Sequence, residues 1–106
     1  MGSDLIGRAV LSTGIKVDQI TEVVSGRAKG VDQSGEDWAY MNNIPIRCFV
    51  ANWEKLGKSA GPIRNEQMGD YADAAVVVWD QVSKGSMHMF NYMHKLRKPA
   101  YLCRVE

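Results

Sequence analysis

The chain has few cysteines, no long apolar run and almost no net charge. Two cysteines in 106 residues, Cys48 and Cys103, both fall inside predicted strands. That placement suits buried free thiols better than a disulfide framework, and a reducing, cytoplasmic compartment. No apolar run is long enough to span a membrane, and the polar, then amphipathic, start does not read as a secretory signal. Thirteen basic and twelve acidic residues give a formal net charge of +1. A non-specific nucleic-acid binder would show a concentrated basic surface instead, so nucleic acid is not an expected partner. His88 and His94 stand six apart on a predicted helix, which does not bring them to one face. No cysteine or carboxylate cluster supports them, so neither a metal nor a catalytic histidine is expected. Linkers, repeats and low-complexity segments are also missing.

What is present is an ordinary globular composition, 45% hydrophobic and 24% charged, enough for a single domain over 1–106 with a modest core. Six methionines and three tryptophans suggest an irregular, filled core and do not by themselves call for a cofactor.

The pattern of the chain is helix, then strand–helix three times, then strand. Leu5, Ile6, Ala9 and Val10 share one face of a first helix that Gly14 stops. Ile20 to Ser25 reads as a β-branched strand ended by Gly26. Val31 to Met41 reads as a helix with Val31, Trp38 and Met41 roughly on one side. Pro45 forbids its continuation, and Ile44 to Val50 is the next strand. Ala51 to Gly61 reads as a loop, and Pro62 suits the first turn of a helix running to about Tyr71. Ala74 to Trp79 is the most hydrophobic run, as expected of a strand buried on both faces of a parallel sheet. Ser86 to Arg97 is a helix with Met89, Phe90, Met93 and Leu96 in phase, and Ala100 to Val105 is the last strand. Such alternation implies an α/β fold, a mostly parallel sheet with helices on both faces.

In such sheets ligands bind beyond the carboxyl ends of the strands. Three glycine-containing turns emerge there: Ser25-Gly26-x3-Gly30-x-Asp32, the turn Lys58 to Asn65, and Asp80-x4-Gly85-Ser86. Glycines let backbone N–H groups approach an anion, and the following helix N-terminus favours negative charge. The three are expected to line one phosphate-suited site. Gly26 and Gly30 would cradle phosphate, although a plain strand-to-helix turn also wants glycine. Ser25 could donate to a phosphate or hold the turn. Asp32 could accept from a ribose, hold the loop, or serve its helix as an N-terminal carboxylate. Arg64 is the candidate charged anchor, since a cation near a helix start is easier to understand with an anion beside it. Asn65 could read a base or ribose, and Lys58 is either a contact or a solvated loop charge. Asp80 could bind ribose hydroxyls, act as a base, or cap its loop. Gly85 and Ser86 would form a second anion-binding helix start. Trp53 and Trp79 could stack on a base, with core packing the better reading for Trp79.

These residues resemble the SLOG superfamily, in particular small bacterial and phage proteins of the YspA/YpsA type, related to DprA and to the Lonely guy phosphoribohydrolases. The match is carried by Ser25, Gly26, Ala28, Gly30 and Asp32, then by Trp53, Gly57, Lys58 and Ala60-Gly61-Pro62-x-Arg64-Asn65, then by Trp79-Asp80-x2-Ser83-x-Gly85-Ser86. The resemblance implies a Rossmann-like three-layer α/β/α domain that binds, by sensing or sequestering, a nucleotide or a nucleotide-derived molecule such as an ADP-ribose-like ligand. Similar proteins begin with a strand that only Met1-Gly2-Ser3 could represent here, so the first strand is missing or reduced. A homodimer that repairs the sheet is expected. The alternative function is cleavage of the N-glycosidic bond of nucleoside 5′-monophosphates. The phosphoribohydrolases carry a glutamate where Met89 stands, and Met89 is neither acid nor base. Asp32 and Asp80 would have to take its place.

Overall fold

The computed structural model describes residues 2–27, 31–79 and 81–104, with the side chains of residues 2, 3 and 104 left aside. The chain divides into two compact units, Met1–Cys48 and Phe49–Glu106. Each contains one strand–helix–strand crossover with parallel strands.

In the first unit, helix α1 (Gly2–Thr13) packs on helix α2 (Val31–Met41). The close approach occurs at Gly7, where a methyl group would sit 3.3 Å from Trp38 Nε1. Thr13 and Ser12 turn their hydroxyls back onto the carbonyls of Val10 and Ala9. Gly14, at φ 81°, then ends the helix. Of the expected apolar face, Ala9 and Val10 are buried while Leu5 and Ile6 are half-buried. The core gathers Val10, Trp38, Ala39 and Ile44, with Ile6, Ile20 and Val23 packed against it.

Helix α2 has the expected bounds and buries part of the expected face. Trp38 and Ala39 are buried, whereas Val31 and Met41 are exposed. These two are the first and last residues of the helix. Strand β1 (Val23–Ser25) is shorter than the expected Ile20 to Ser25, because a 3₁₀ turn at Val17–Gln19 occupies the approach to it. Strand β2 (Ile46–Cys48) likewise replaces the longer Ile44 to Val50. Ile44 caps α2 by donating to Ala39 O at 2.8 Å, and pairing starts with Val23 N–H donating to Pro45 O. β1 and β2 are parallel, with Val24 opposite Arg47. All three residues of β2 are exposed, Cys48 included. This corrects the expected burial of that thiol: a two-stranded sheet does not cover its outer member. Cys103 is half-buried, and neither cysteine is in a disulfide.

In the second unit a short helix α3 (Trp53–Leu56) and a 3₁₀ turn (Gly57–Ser59) lead into α4 (Ala60–Tyr71), where a plain loop is expected from the sequence. Strand β3 (Ala75–Trp79), helix α5 (Lys84–Lys95) and strand β4 (Ala100–Arg104) follow. β3 and β4 are parallel, with Val77 opposite Leu102. Val77 and Val78 point to opposite faces and are both buried, so the centre of β3 is covered on each side. Met93 of α5 is fully buried beneath it. Val105, the last residue of the expected final strand, lies outside the described residues.

The packing of α4 on α5 depends on Gly69. A methyl group there would lie 2.7 Å from Tyr92 Cδ2, inside contact distance. The ring cannot easily yield, because the Tyr92 hydroxyl donates to Asp70 Oδ1 at 2.7 Å. That hydrogen bond, with burial and the nearby carboxylates of Asp70 and Glu66 acting in the same direction, pushes the phenol up to about 12.

The single, mostly parallel sheet expected from the alternation is therefore represented, among the described residues, by two separate parallel pairs. No described helix is long and apolar enough to cross a membrane.

Candidate functional site

Each unit presents a turn where its first strand gives way to its crossover helix. In the first unit this turn follows Ser25 and Gly26, both buried. Ser25 Oγ donates to Glu36 Oε2 at 2.6 Å and accepts the Arg27 N–H at 3.1 Å. Arg27 also bonds Glu36 Oε1 at 2.8 Å through its guanidinium. Arg27 takes a left-handed φ of 60°, which folds the turn back onto its own hydroxyl acceptor. The carboxylate of Glu36 thus occupies the hydroxyl and the guanidinium that a phosphate would use. Gly30 lies outside the described residues, so the full cradle is not drawn. Asp32 is half-buried in the first turn of α2, a favourable end for a carboxylate.

In the second unit two of the expected turns meet. Asn65 is 7% exposed and stands at the junction. Its Oδ1 accepts from Arg64 Nε at 3.0 Å. Its Nδ2 donates to Gly85 O at 3.2 Å and approaches His88 Nδ1 at 3.5 Å. The segment Lys58 to Asn65 is thereby tied to the first turn of α5, 20 residues further on. α4 begins at Ala60, two residues before Pro62, so Arg64 lies in the second turn rather than the first. Helical side chains lean towards the N-terminus, so Arg64 still reaches back along the helix. Its Nε bond to Asn65 fixes the plane of the guanidinium fork.

The start of α5 is organised by Ser83, whose Oγ accepts from Ser86 N at 3.4 Å and from Ser86 Oγ at 3.3 Å. Trp79 secures the same turn by donating its indole N–H to Ser83 O at 3.1 Å. Trp79 is half-buried and committed to this structural bond. Gly85 and Ser86 are consequently the second and third residues of the helix, in the turn whose N–H groups lack intrahelical acceptors, and Ser83 Oγ takes that of Ser86. Asp80 lies outside the described residues. Lys58 is exposed on its 3₁₀ turn.

Two functional candidates escape sequence reasoning. Glu36 stands in mid-helix and carries no motif signal, yet it closes the first turn. His88, set aside for want of a metal partner, lies against Asn65 and pairs through Nε2 with Glu66 Oε2 at 3.6 Å. The sequence carries no signal for this pairing, which exists only because α4 packs on α5. Among the described residues no group of three histidine, cysteine or carboxylate side chains is placed to hold a metal ion.

The second unit therefore combines an oriented arginine, a buried amide and a helix start within one set of contacts, an arrangement suited to an anionic group. Compared with protein-family models, with curated proteins and with solved structures, the chain matches none.

Proposed function

We propose that this protein is a SLOG-type, Rossmann-like domain that binds a nucleotide or nucleotide-derived ligand, such as an ADP-ribose-like molecule, in the role of sensor or sequestering protein. The observation that carries the reading is Asn65: one buried side chain holds Arg64 and the first turn of α5 together. A phosphate placed there would meet a bidentate cation and the positive end of a helix. Met89 supports binding over glycosidic cleavage. Its Sδ-methyl packs towards Gly69 of α4, where a glutamate would be needed near the ligand.

Calorimetric titration with nucleoside monophosphates and ADP-ribose tests the reading. Arg64→Ala should weaken binding on the order of ten- to a hundred-fold, the range for a lost charge-assisted pair. Equal affinity in parent and variant, or no binding across the panel, would sink the proposal.

The same reading places the protein in the cytoplasm, with no nucleic-acid partner, and as a homodimer. Support for the dimer comes from β3, whose five residues are uncharged and which pairs only with β4 among the described strands. An apolar strand edge is a template for another chain. Sedimentation equilibrium should return twice the 11.8 kDa chain mass; a monomer at all concentrations contradicts it.

A further inference from the structure

Trp53 is 60% exposed, although tryptophan is highly buried on average. Its position is built rather than incidental. Asn52 Oδ1 accepts the Lys55 N–H at 3.1 Å and fixes the start of α3. Gly57, at φ 57°, then turns the chain back into α4. This brings the indole against Gly61 in the first turn of that helix. A methyl group at Gly61 would lie 3.2 Å from Trp53 Cη2, and 3.9 and 4.0 Å from Cζ2 and Cζ3. The two flanking atoms are nearly equidistant and clearly farther, so the ring meets the backbone tip first. Most of the indole is left exposed.

We propose that Trp53 is the stacking platform on which the base of the proposed ligand rests, so that base and phosphate are both held in the second unit. This rests on the anion-binding reading above and names the part of the ligand it leaves open. Gly61 precedes Arg64 by three residues, about 4.5 Å along the helix axis at the usual rise. The indole of α3 thus rests on α4 about one turn ahead of the phosphate anchor. Lys58 is exposed on the turn that joins α3 to α4 and adds a positive charge between them in the chain. A protein partner would also favour an exposed tryptophan. A nucleotide fits better because it needs the aromatic face and the cations together.

The test uses the full chain and three probes: AMP, ribose 5-phosphate and inorganic phosphate, titrated calorimetrically into the parent, Trp53→Ala and Trp53→Phe. UMP serves as a second base, since stacking tolerates any base. The parent should bind AMP and UMP about ten-fold more tightly than ribose 5-phosphate, a typical stacking contribution. Trp53→Ala should abolish that advantage and Trp53→Phe should keep most of it. Affinity for ribose 5-phosphate and phosphate should be the same in all three proteins. The exposure of the ring means both variants should fold, which circular dichroism checks. A base preference that survives Trp53→Ala, or no base preference in the parent, overturns the proposal while leaving the anion site standing. Failure of every probe to bind the folded parent overturns the anion site, and the stacking role with it.

Discussion

Replacing Lys98 with methionine should lower the unfolding free energy by about 2 kcal/mol, the scale of hydrogen bonds made by a charged donor at a partly exposed site. The ammonium group of Lys98 donates to three carbonyls, those of Gly69 at 2.8 Å, Asp70 at 2.9 Å and Ala72 at 2.8 Å. These lie at the C-terminal end of α4, where carbonyls lack intrahelical partners and the helix dipole is negative. One cation therefore meets three orphan acceptors and the favourable end of a dipole. It does so from a residue that follows α5, so it also fastens the α5–β4 connection to α4. Methionine keeps most of the stem and removes the charge and all three donors. Arginine should rescue poorly, because its planar fork cannot converge on three carbonyls around a point. Urea unfolding followed by circular dichroism reads the change as a lower midpoint at unchanged slope. A midpoint equal to the parent's would show that water satisfies these carbonyls as well as Lys98 does.

Replacing Asn65 with leucine should cost a similar amount, about 2 kcal/mol, for the loss of two buried hydrogen bonds with little change in volume. Apolar burial is retained, so the cost isolates the amide. The same variant should weaken anion binding about ten-fold even though Arg64 remains, since the guanidinium loses the bond that orients it. The two readouts separate structure from positioning. A destabilised variant with parental affinity would mean that Asn65 is only a brace. A variant unchanged in both respects would remove the observation on which the proposed function stands. Denaturant unfolding and calorimetry on one preparation give both answers.

Both predictions concern contacts that local sequence reasoning does not reach. Lys98 reads in sequence as one of several cations near the end of α5, suited to that helix's own dipole. In the structure it serves α4 instead, 26 to 29 residues away in the chain. Asn65 reads as a ligand contact beside Arg64, and its bond to Gly85 follows only once α4 lies on α5. Ser25 and Gly26 were legible as a turn, but Glu36 as the anion in that turn was not. Its position is set by the fold of α2 over β1. The short helix at Trp53 was read as loop because four residues carry too little periodicity to register.

The sequence by itself determined the local grammar. The β-branched runs became β1 and β3. Gly14 stopped α1, and the alternation of strand and helix produced parallel pairs. Each of these follows from preferences of one residue or one turn, which do not need the rest of the molecule. Tertiary structure alone decided which turns meet, which carbonyls Lys98 caps, that Trp38 rather than Val31 or Met41 faces the core, and that the strands form two pairs. Those outcomes depend on close packing between segments far apart in the chain, where a single contact such as Tyr92 against Gly69 selects one arrangement over another.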